Sequence, residues 1–113
     1  MKTEKVVVLL VALIHLASAL LMQLGFMEPV ITTPAIPAEW QVAFCVAVGA
    51  VLALVYMTEN PFLTGLMFAK HGVFGWLATA GIVQYQHLNP VVQVFVVIMD
   101  FVTALALYKI ATS

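Results

Sequence analysis

"FLTGLMFAKHGVFGWLATAGIV", residues 62–83, sets Lys70 and His71 side by side in an otherwise apolar run whose only other polar side chains are Thr64 and Thr79. Reading this run as a membrane span, charge included, decides the fold. A lysine at the centre of a membrane helix costs about 2.5–3.5 kcal/mol, and each surrounding Leu, Ile, Val or Phe returns about 0.3–0.6 kcal/mol. The run therefore inserts near break-even, provided Lys70 faces protein or water rather than lipid.

The rest of the chain supports this reading. Of its 113 residues, 65% are hydrophobic and 8% charged, and the mean hydropathy is +1.15. A soluble domain carries about 25% charged residues, so most of this surface has to meet lipid. Four segments are long enough to cross: Val6–Met22, Gln41–Met57, Phe62–Val83 and Val91–Tyr108. None alternates as a barrel strand would. The expectation is one all-α transmembrane domain over residues 1–113, an integral membrane four-helix bundle of antiparallel hairpins. Its helices fall near 6–24, 40–58, 61–85 and 90–109. The first segment also resembles a signal peptide, with a basic start and the small-x-small triplet Ala17-Ser18-Ala19. The apolar pattern continues through Leu20, Leu21 and Met22, which favours a retained helix.

Outside the spans the lysines are Lys2, Lys5 and Lys109, and four helices put all three on one side. The positive-inside bias makes that side cytoplasmic, giving an inner-membrane, multi-pass protein with both termini inside. Trp40 and Tyr85 then mark the outer interface, Tyr56 and Tyr108 the inner one. A net charge of −1 leaves no nucleic-acid footprint. The single Cys45 excludes an intramolecular disulfide. Asn60-Pro61 and Asn89-Pro90 read as side-chain caps followed by proline at the first helical position, the mark of tight hairpins. The segment "GFMEPVITTPAIPAE" (25–39) is longer, and its three prolines make it extended and stiff. Its Phe26, Ile31 and Ile36 suit a loop lying on the membrane or folded over the bundle mouth, with a plain surface loop favoured over a lid.

Depth along each span brings His15, Lys70, His71 and Asp100 to about one level, from three helices. Ionisable residues at such depth are costly, and this makes them the candidate ligand- or proton-binding site. Lys70 and Asp100 form the expected ion pair. Lys70 and His71 lie about 100° apart on the helix wheel, so one should face Asp100 and the other helix one and His15. Gln93, Asp100, Thr103 and Leu107 share one face of the last helix, with Gln93 and Thr103 as a supporting polar stripe. Gly65, Ala69, Gly72 and Thr79 form a small-residue strip that would let a neighbouring helix approach closely. Helix two reads as a wall. The plainer alternative is that these polar groups only hold helices together.

For function, histidine titrates near neutrality, so the group suits proton-linked or small-solute binding and transport. Four helices are few for a pathway, and a homo-oligomer is expected. One alternative is an accessory or assembly subunit of a larger membrane complex. Another is a redox protein binding quinone beside Phe68, Phe74, Trp76 and Phe101, or haem between His15 and His71, which serve as metal ligands only in that case. No cofactor is otherwise expected. With no HExxH or GxSxG and no Cys/His nucleophile pair, an enzyme is not expected. The layout resembles small four-helix bacterial membrane families, DoxX-like proteins among them, in helix number, orientation and loop lengths. That resemblance carries no functional residue.

Overall fold

The computed structural model describes residues 2–85 and 90–113. Its four helices are α1 (Thr3–Gln23), α2 (Ala38–Thr58), α3 (Pro61–Thr79) and α4 (Pro90–Thr112). The longest dimension is 37 Å, enough to cross the ~30 Å hydrocarbon core. α1, α2 and α4 are each long and apolar enough to span a membrane. α3, the helix carrying Lys70 and His71, is not apolar enough by that measure. Large apolar side chains point outward all round: Trp40 is 69% exposed, Trp76 66% and Phe95 62%. In water such a surface would aggregate.

Helix ends follow from local chemistry. α1 stops where Gly25 takes a φ of +80°. There the Gly25 N–H donates to Met22 O and the Phe26 N–H to Leu21 O, the paired bonds of a glycine-terminated helix. α3 ends the same way. Gly81 has a φ of +79°, its N–H bonds Ala78 O, and the Ile82 N–H bonds Leu77 O. This shortens the expected helix at 61–85 to Thr79, although Ile82 and Val83 continue the apolar run. Between α2 and α3, Glu59 turns left-handed at φ 51°. The Asn60 side chain then accepts from the Phe62 and Leu63 N–H groups at 3.0 and 3.1 Å, as the Asn60-Pro61 pair predicts. The corresponding Asn89 cap lies outside the described residues.

α1 packs most closely on α2, and α3 on α4; α1 with α4 and α2 with α3 close the ring more loosely. α1 and α3 are therefore diagonal partners. The tight approaches do not use the small-residue strip read from the sequence. A Cβ on Gly65 or Gly72 would meet nothing within 4 Å; Gly65 is exposed and Gly72 half-buried. The close contacts are at Gly49, where a Cβ would lie 2.7 Å from Leu16 Cγ, and at Gly75, 3.0 Å from Phe101 Cζ.

Two apolar clusters fill the interior. One, around Val8, Leu52, Met67 and Leu107, sits toward the chain termini; the other, of Ala78, Val83 and Tyr85, sits toward the long loop. Val30 and Ile31 of that loop pack on the second cluster, so the loop folds over the bundle mouth. Polar bonds secure it. Gln84 N donates to Thr33 O at 2.9 Å and Thr32 N to Gln84 O at 3.0 Å. The buried Gln41 amide pairs with Ile31 through both backbone groups, at 2.9 and 2.6 Å.

Candidate intramembrane polar site

Between the two apolar clusters lies a layer built by α1, α3 and α4. His15 and His71 are held alike, each by its own helix. The Nδ1 of His15 lies 2.8 Å from Val11 O, and that of His71 2.9 Å from Met67 O. A backbone carbonyl only accepts, so each Nδ1 carries a proton and donates. In a neutral imidazole this leaves Nε2 as a lone-pair acceptor. The two rings meet edge to face across the bundle diagonal, with centroids 5.7 Å apart.

Lys70 supplies the donor. Its Nζ donates to His15 Nε2 at 3.3 Å. The ammonium also lies 5.6 Å from the Phe44 ring centroid and 5.0 Å from that of Phe74, within cation–π range. Phe44 and Phe74 themselves pack at 5.5 Å, joining α2 to α3. The expected Lys70–Asp100 ion pair is not formed. The physical reason is the ring order of the helices. α3 stands between α2 and α4, and Lys70 leans to the α2 side, away from the helix that carries Asp100. Both Lys70 and His71 meet His15, where one of them was expected to face Asp100.

Two acceptors remain unserved. His71 is 0% exposed and Asp100 4%, yet His71 Nε2 and Asp100 Oδ2 have no hydrogen-bond partner. A buried polar atom without a partner costs about 1–3 kcal/mol, and a native fold rarely carries two in one layer without a use for them.

The supporting stripe does point inward but does separate jobs. Thr103, 0% exposed, donates to Met99 O of its own helix at 2.7 Å. Gln93 accepts from the Tyr85 N–H at 3.1 Å and so tethers the α3–α4 connection rather than joining the layer. Sequence reasoning misses Phe44 and reads Gln41 only as polarity at the end of the helix taken for a wall. A lone amide entering an apolar span just after a proline-rich loop is the available signal for Gln41. Phe44 carries none, being one aromatic among many. Among the described residues no three His, Cys, Asp or Glu side chains converge as a metal set. The chain matches no protein-family model, no curated protein and no solved structure.

Proposed function

We propose that this is a small polytopic membrane protein whose mid-bundle Lys/His/Asp layer binds a proton and passes it across the bundle, working as a homo-oligomer with both termini cytoplasmic. The observation that carries the reading is the pair of buried acceptors, His71 Nε2 and Asp100 Oδ2, left without donors beside a lysine–histidine pair. Acceptors from two helices beside one cation on a flexible stem are what a proton-handling site needs. Structural glue, by contrast, would have its bonds completed. The strip of Gly65 and Gly72, open to close approach, supports the homo-oligomer. An accessory role in a larger complex would use the same strip against a different helix.

The competing cofactor readings draw less from the geometry. Haem between His15 and His71 needs both Nε2 atoms and a gap for the macrocycle. Here the rings touch and Lys70 occupies one of those nitrogens.

The test is proton flux into liposomes containing the purified protein, driven by a potassium diffusion potential and read with an entrapped pH dye. Wild type should acidify the lumen faster than empty vesicles, and Asp100→Asn should cut the protein-dependent rate at least tenfold. Wild-type flux equal to that of empty vesicles, or full flux in the variant, would reject the reading.

A further inference from the structure

Lys70 spends one hydrogen bond in the structure, and spends it on a neutral partner. An ammonium has three rotatable donors on a flexible four-carbon stem, and its bond to His15 Nε2 is long at 3.3 Å. Asp100 is the only one of the chain's five carboxylates that lies inside a span; Glu4, Glu28, Glu39 and Glu59 are near helix ends or in loops. It stands on α4, the helix packed most closely against α3. Its Oδ2 is buried and has no donor. A charged acceptor in low dielectric outbids a neutral one in Coulomb terms. What holds the ammonium on the α2 side is the second interaction found there, the faces of Phe44 and Phe74.

We infer that Lys70 has two seats: one on His15 between Phe44 and Phe74, as seen here, and one on Asp100 across α3. The inference rests on the proton-binding reading of this layer and supplies its moving part. In the first seat His15 Nε2 is covered and Asp100 is open. In the second Asp100 is covered and the His15 and His71 lone pairs are both free. Covering one acceptor uncovers the other, so the two sides of the layer are open in alternation. The bulk of the bundle does not have to move.

Two measurements decide it. The first compares melting temperatures in detergent for His15→Leu, Asp100→Ala and the double variant. With two seats, losing one leaves Lys70 the other, so the double variant should melt well below the temperature given by adding the two single shifts, whatever the sign of each. In a Lys70→Met background that excess should vanish. Additive shifts would overturn the inference.

The second does not depend on the double variant folding. The chain has four lysines, and selective nitrogen-15 labelling resolves the Nζ of Lys70 by its absence in Lys70→Met. Relaxation dispersion should show exchange at that signal in wild type and none in His15→Leu or Asp100→Asn. A Lys70 signal without exchange in wild type, or with exchange unchanged in both variants, would overturn the two seats. Flux lost in Asp100→Asn with no such exchange would leave the proton-binding reading standing and remove the moving lysine. Exchange in a protein without flux would do the reverse.

Discussion

At the scale of single residues, the unpartnered oxygen of Asp100 sets stability against function. A carboxylate buried at 4% exposure with no donor at Oδ2 weakens the fold by about 1–3 kcal/mol relative to a neutral isostere. Asp100→Asn should therefore raise the melting temperature in detergent while reducing proton flux, the signature of a site that trades stability for activity. A lower melting temperature would mean that Asp100 is mainly paired with Lys70, because removing one member of a buried pair destabilises. The depth and chemistry of His15, Lys70, His71 and Asp100 can be read from the chain, since each sits near the middle of an apolar run. Which of them touch cannot. A helix wheel gives the angle between Lys70 and His71, but not which neighbour stands at each angle.

Among helices, the close approaches separate two kinds of glycine. At Gly49 an added Cβ would lie 2.7 Å from Leu16 Cγ and 3.1 Å from the Ala12 carbonyl oxygen, which is backbone and cannot turn aside. Gly49→Ala should push α1 from α2 and destabilise by about 1–3 kcal/mol. Gly72→Ala meets open space within one copy, so in detergent that keeps the protein monomeric it should be neutral or stabilising by up to about 1 kcal/mol, the helix-propensity gain of alanine. Thermal unfolding of the two variants in detergent checks both signs. An equal loss at both positions would show that the Gly72 face is also packed, and cross-linking would then identify a second copy against it. Spacing alone favours the strip containing Gly72 over Gly49, because small residues there recur at helical intervals. Packing decides otherwise.

For the whole molecule, the charge pattern predicts an orientation in the bilayer. Lys2, Lys5 and Lys109 share the end of the bundle opposite the long loop, and the proposed orientation, drawn from the positive-inside bias, has that end in the cytoplasm. A reporter active only in the cytoplasm should give signal when fused after Ser113 and none when inserted within Thr32–Ala35. The opposite pattern would invert the protein. The insertion site is chosen within the loop, but Thr32 and Thr33 also bridge to Gln84. An insertion between Pro34 and Ala35 keeps clear of the Thr32 and Thr33 bonds.

Helix number and the membrane class follow from the sequence alone because lipid imposes a composition: a chain that is 65% hydrophobic with long uncharged runs has few other ways to satisfy its backbone. The Asn60-Pro61 turn is equally local, since the cap is made within three residues. The end of α3 is local too, but its signal is quieter than the apolar run across it. Gly81 alone, matching Gly25 at the end of α1, marks the place where a positive φ stops the helix. The loop's fold over the mouth, held by Gln41 and Gln84, and the lean of Lys70 toward His15 and Phe44 belong to tertiary structure. Both depend on the order of four helices around a ring, and that order is set by which surfaces pack most closely, a property of pairs of helices that no single segment carries.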